Sequence, residues 1–139
     1  MSGTRLTASA RSRDGLRHEV AVRHHHLVVD EPPDLGGADD GPTPQELVAA
    51  ALSGCVAATM RLYAERKDWT IGEVEVDCSY TAAERGCPTR FELVLRLGEH
   101  LSDEQVDRLR VIATKCPVHR ILEGDVMFEE RVERVAHAG

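Results

Sequence analysis

The sequence predicts an α+β fold, mostly antiparallel sheet around one long central helix, and three observations carry that prediction. Runs rich in β-branched residues flank Asp14-Gly15. A helix-start signature at Thr43 opens a long apolar stretch, and two alternating runs flank AERGCP before a second helix-start signature at Ser102. Strands, long helix, strands, helix, strand is the order of an α+β chain, not of alternating βαβ units. At 139 residues, without internal repeat or linker, the chain is expected to form one domain over residues 1–139 with a hydrophobic core.

Each element has a local reason. Residues 4–12 (TRLTASARS) and 16–29 (LRHEVAVRHHHLVV) read as strands broken at Asp14-Gly15, a dipeptide that favours a hairpin turn. The stretch 30–43 (DEPPDLGGADDGPT) is dense in Pro, Gly and Asp and reads as a loop. Thr43 then fits an N-cap, Pro44 the first helical position and Glu46 the third, which completes a capping box. The helix is expected from Pro44 to Lys67. Glu73–Ala82 and Thr89–Leu97 alternate polar and apolar residues as a hairpin does. Ser102 and Gln105 form a second capping box opening a helix over Asp103–Lys115. Val118–Glu123 reads as one or two turns stopped by Gly124, and Val126–Val135 as a last strand.

The long helix is unusual in having no polar face from Leu47 to Met60. A helix apolar all round is buried on every side, and one chain of this size supplies too little to cover it. A second copy is the natural cover, so a homodimer is expected. Gly54, which costs roughly 1 kcal/mol against Ala inside a helix, fits close approach of another backbone.

Composition narrows the function. A net charge of -7 argues against nucleic acid or an anionic membrane as partner. No apolar run approaches the roughly 20 residues of a membrane span. The N-terminus lacks the apolar middle of a signal peptide, so the cytoplasm is the expected compartment, where stable structural disulfides are uncommon. The four cysteines therefore point to redox chemistry, to a metal, or to no special role.

Taken singly, the cysteines differ. Cys116, in KCPVHR, is placed as the N-cap of the following turns if Pro117 is the first helical residue. The helix dipole, free N–H groups and nearby Lys115, His119 and Arg120 would favour its thiolate; the alternative is a poor cap at a corner between helices. Cys55, amid apolar residues, is inert unless a cation reaches it from elsewhere. Arginine suits that task, and Arg11, Arg13 and Arg17 of the first hairpin are the candidates. Cys78 shares a strand face with Val74, Val76 and Tyr80 and reads as core. A turn centred on Glu84-Arg85 would pair residue 78 near Phe91, out of register for a Cys78–Cys87 bridge, which leaves Cys87 exposed. His24 and His26 would share a strand face, but no metal-ligand pair spacing accompanies them; no metal is expected. Ser53 lacks a nucleophile-elbow context, and no Gly-rich phosphate loop precedes a helix.

Two motifs together, GPTPQELVAAALSGC ending at Cys55 and KCPVHRIL around Cys116, make the chain resemble the OsmC/Ohr family of thiol-dependent hydroperoxide reductases. The resemblance runs from the Arg13-Asp14-Gly15 turn through DLGG to the C-terminal strand. It implies an intertwined homodimer with both long helices buried at its centre and active sites at the subunit interface. It further implies Cys55 as peroxidatic thiol, Cys116 as resolving thiol, and Arg13 as the arginine that orients thiolate and peroxide. The implied cycle needs no cofactor: Cys55 reduces an organic hydroperoxide or hydrogen peroxide, its sulfenic acid condenses with Cys116, and a small dithiol or dihydrolipoyl group reduces the disulfide.

One departure stands out. Peroxidases of this family carry a glutamate ten residues before the peroxidatic cysteine, and here that position is Gln45. Glu46 lies about 180° around the helix from Cys55 and belongs to the capping box. Gln45 can hydrogen-bond Arg13 but brings no charge, which favours a less characterised OsmC-like branch. The alternative to a peroxidase is thus a non-catalytic OsmC-like protein that binds a small hydrophobic or thiol ligand at the dimer interface.

Overall fold

The computed structural model describes residues 5–136. Three short antiparallel strands come first: β1 (Ser9–Ser12), β2 (His18–Val22) and β3 (His25–Val29). The expected second run is therefore two strands, because Arg23 adopts a left-handed φ of 53° and Val22 pairs directly with His25. The turn at Arg23-His24 takes His24 out of the strand, so His24 and His26 do not share a face. The 4–12 run is strand only from Ser9 onward; residues 1–4 lie outside the described residues. Gly15, with a φ of 64°, turns the first hairpin as Asp14-Gly15 predicts.

Helix α1 (Pro44–Arg66) starts as expected. Thr43 Oγ1 accepts from the Glu46 N–H at 3.1 Å, and Glu46 Oε1 accepts from the Thr43 N–H at 2.8 Å. It stops one residue early, with Lys67 as its C-cap. Strands β4 (Glu75–Thr81) and β5 (Arg90–Arg96) pair antiparallel. Their turn centres on Arg85-Gly86, where Gly86 takes a φ of 82° and Glu84 and Cys87 exchange both backbone hydrogen bonds at 2.9 Å. Moving the turn by one residue moves the partner by two: Cys78 faces Leu93, and Tyr80 faces Phe91.

Helix α2 (Asp103–Ala113) carries the second capping box, and the short helix α3 (Pro117–Glu123) has Cys116 as its N-cap. The expected last strand is absent. Residues 124–136 run without regular structure, with Met127, Phe128 and Val132 respectively 86%, 84% and 90% exposed. Their alternation is that of a strand, but a strand needs a ladder partner, and their own chain provides none among the described residues.

The core is one stripe of α1, Leu52, Val56, Met60 and Ala64, packed against Ile71, Leu101, Leu109, Ala113 and Cys116. Spacing by four puts these side chains in line on one helix face, and each large one contributes roughly 1.5–3 kcal/mol by burial. The inner faces of β4 and β5 close over the stripe with Val76, Cys78, Phe91 and Leu95. Within this chain, then, α1 is not buried on every side. Val48 and Leu62 stay exposed, and a Cβ at Gly54 would meet nothing within 4 Å. By length and composition α1 is also apolar enough to cross a membrane, contrary to the expectation of no such run. Here its buried stripe serves the core.

Candidate active site

The site is built where α1 meets α3. Cys55 lies on α1 beside buried Val56 and is itself half-buried; Cys116 is fully buried at the start of α3. The two side chains are near enough for Cys55 to influence the ionisation of Cys116, and both cysteines are free thiols. Sequence positions far apart in the chain are thus joined by the packing of α3 on α1.

The capping role expected of Cys116 is present, since its Sγ accepts from the His119 N–H at 3.2 Å. The expected ionisation is not. Burial pushes the Cys116 thiol up from its ordinary value; the N–H groups of His119 and Val118 pull it down, and nearby Cys55 pushes it up further. Withdrawal from water disfavours the thiolate more than one weak helix terminus favours it. Cys116 is accordingly a protonated partner, not a standing nucleophile.

Two apolar grooves flank α3. One, about 440 Å³, lies between β5 and α2 and is lined by Leu93, Leu95, Leu97, Val106 and His119 among others. The other, about 560 Å³, runs from Val48 and Leu52 of α1 past Tyr80, Phe91 and Leu93 to Leu122 and Glu123. His119 lines both.

The remaining candidates lie elsewhere. Arg13 is exposed in the β1–β2 turn and lines a cavity with Arg11, Asp14, Arg17 and Glu19. The first sheet has no substantial packing on the helices of its own chain, so a single chain does not bring Arg13 to the thiols. Arg17 is engaged by Asp40 at 3.4 Å and Glu19 at 3.9 Å. Gln45 shares a cavity with Ala49, Ser53, Cys78 and Tyr80, not with Cys55. Cys78 is half-buried against the core, and burial raises its thiol as well. Cys87 is exposed. The His24 and His25 rings lie tilted against each other, with centroids 4.0 Å apart.

Two residues escaped the sequence reading. Asp30 is buried, and its carboxylate accepts from the N–H groups of Glu31 (2.8 Å), Asp40 (3.1 Å) and Ala38 (3.2 Å). These bonds, that of Asp40 foremost, hold its carboxyl below the usual range against the opposing effect of burial. It organises the loop that leads into α1. The same loop needs glycine at two close approaches: a Cβ at Gly37 would stand 1.9 Å from the Glu31 carbonyl oxygen, and one at Gly41 would stand 2.1 Å from that of Val28. An aspartate heading a Pro/Gly loop is the available signal, but its donors are backbone groups that no side-chain pattern records. His119 was read only as positive charge near Cys116; its place between two grooves depends on tertiary packing.

A long helix carrying a thiol, a second thiol capping a short helix against it, and small antiparallel sheets define a class of α+β thiol proteins. The OsmC-like protein family matches residues 37–131, and the chain belongs to it. Arg13 precedes the matched segment. Among solved structures, the OsmC-like protein from Mycoplasma pneumoniae superposes with a TM-score of 0.73 at 18% identity, covering 88% of this chain and 90% of that one. The organic hydroperoxide resistance protein OhrB of Bacillus subtilis gives 0.61 at 19%, covering 88% and 93%. An organic hydroperoxide resistance protein from Elizabethkingia anophelis, with thiocyanate bound, gives 0.63 at 24%, covering 89% and 91%. These likenesses show the fold. No curated protein matches the chain.

Proposed function

We propose that the protein is a thiol-dependent peroxidase that reduces organic hydroperoxides through Cys55 and Cys116. The observation that carries this reading is the packing of α3 on α1, which brings Cys55 and Cys116 into one cluster. Two of the structural neighbours are described as organic hydroperoxide resistance proteins, which supports the substrate class. The Cys55 thiolate attacks the distal peroxide oxygen, the O–O bond breaks, and the alcohol leaves with a proton. Cys55 is then a sulfenic acid. Cys116 attacks its sulfur, water leaves, and the disulfide holds the two electrons lost. A dithiol or dihydrolipoyl group restores the thiols by exchange.

The working unit in this reading is an intertwined homodimer, in which Arg13 of one copy reaches Cys55 of the other. Three features support it: the exposed outer face of α1, the unpaired segment 124–136, and a first sheet without helical cover in its own chain. Turnover of cumene hydroperoxide with a dithiol tests the chemistry. Cys55→Ser abolishes it, and Cys116→Ser undergoes a single oxidation that stalls; full activity in Cys55→Ser contradicts the assignment.

A second reading has its own support. Burial keeps Cys116 protonated, and Gln45 sits with Cys78 and Tyr80 in place of an acidic partner for Arg13. Both fit a non-catalytic OsmC-like protein that holds a small hydrophobic or thiol ligand between subunits. An unreacted Cys55 after exposure to hydroperoxide would favour it.

A further inference from the structure

Strand β5 pairs with β4 on one side and with nothing on the other among the described residues, so one of its edges carries free backbone N–H and C=O groups. The two apolar grooves run along β5 and join at Leu93 and His119, which line both. The first is lined by outward Val94 as well as by inward Leu93 and Leu95, which places it at the free edge of the strand and not under the sheet. Together the grooves follow the chain from Thr89 to Leu97 over a floor of Val48, Leu52, Val106, Ala113 and Leu122, a length of roughly 30 Å at 3.3 Å per residue. A trough of that length beside an open edge is a seat for one extended strand.

The segment 126–135 is the converse, a strand pattern without a sheet. Extended, it puts Val126, Phe128 and Val132 on one face and Arg131 and Glu133 on the other,. Its own groove suits it badly. The segment leaves from Glu123, which lines the groove at its Thr89 end, so it enters running parallel to β5. Phe128 beside Leu93 then sets Arg131 against Arg96, and Phe128 beside Phe91 sets Glu129 against Glu92; both oppose like charges. A second copy entering from the Leu97 end runs antiparallel. Val126, Phe128 and Val132 then fall opposite Leu97, Leu95 and Phe91, while Arg131 falls opposite Glu92 and Glu133 opposite Arg90. Arg90 and Glu92 already stand 3.9 Å apart along β5, and Arg131 and Glu133 2.6 Å apart along the segment. Side by side, the four make a square of alternating charge.

Resting on the homodimer of the peroxidase reading, we propose that residues 126–135 of one copy add antiparallel to the free edge of β5 in the other, with Arg131 across from Glu92. The exchange is reciprocal, as a two-fold dimer requires. It covers the exposed Phe128 and Val132 and fills both grooves, neither of which a cysteine lines.

The test is a charge swap read by dimer dissociation, measured by sedimentation over a range of protein concentrations. Phe128→Asp is expected to weaken the dimer by of order 10²-fold, since it would bury an unpaired charge in each groove. Arg131→Glu should weaken it by of order tenfold, since it sets like charges opposite at both seats. Adding Glu92→Arg to Arg131→Glu should restore most of the wild-type affinity. Each substituted side chain is exposed in the single chain, so the variants keep its fold. Unchanged dissociation in both single variants, or a weakening in Arg131→Glu that Glu92→Arg does not relieve, overturns the seat beside β5 and leaves the homodimer standing. A wild type that is monomeric at every concentration overturns both.

Discussion

The two faces of α1 obey different rules although both are apolar. The inner face, Leu52 to Ala64, is closed by β4, β5, α2 and α3 of the same chain. The outer face, with Val48, Gly54 and Leu62, is left open, as are the N-terminal sheet and residues 124–136. One half of the molecule is complete in a single copy. The other half leaves apolar side chains such as Leu62, Phe128 and Val132 exposed, the surface that the proposed homodimer would cover.

The largest expected effect sharpens that contrast. Met60→Ala, on the inner face, should cost about 2–5 kcal/mol, with little dependence on protein concentration in urea unfolding. Leu62→Ala, on the outer face, should show a loss that grows with concentration, because it acts on self-association. A concentration-independent loss at Leu62 would break the comparison. Next comes Gly37→Ala, where a Cβ would strike the Glu31 carbonyl. A cost of roughly 1–3 kcal/mol is expected, while Gly54→Ala, in open space within the chain, should stabilise a monomer by roughly 1 kcal/mol and be disruptive only where copies meet.

Acid should act on the linking loop. The Asp30 carboxyl is lowered from its unfolded value by its backbone donors, so its contribution is present above pH 4 or so. It is lost as pH falls through the lowered value. Hydrogen exchange of residues 30–42 should accelerate in that window, and Asp30→Asn should remove the pH dependence; exchange flat down to pH 2 would contradict the role. The smallest effect is at Cys87, exposed beyond the β4–β5 turn. Cys87→Ser should change stability by under about 0.5 kcal/mol and leave peroxide turnover as it is.

Much of this was legible in the residues because it is local. Thr43-Pro44-Gln45-Glu46 specifies its capping box without help from the rest of the chain, and Cys116-Pro117 fixes a cap in the same way. What failed depends on partners. The Val126–Val135 alternation promises a strand that its own chain does not pair, and the β4–β5 register turned on which of two adjacent dipeptides bends. Cys116 shows the limit most clearly. Its neighbours in sequence leave a thiolate and a plain cap both open, and its burial where α3 packs on α1 favours the protonated thiol. The pairing with Cys55 entered through a family resemblance, and the packing that places both in one cluster is visible only in the fold.

The most direct test of the central claim is the intact mass and thiol count after one equivalent of cumene hydroperoxide, followed by peptide mapping. The account predicts the loss of two thiols and a Cys55–Cys116 link, with Cys78 and Cys87 unchanged. Four surviving thiols, or a link that omits Cys55, would contradict it.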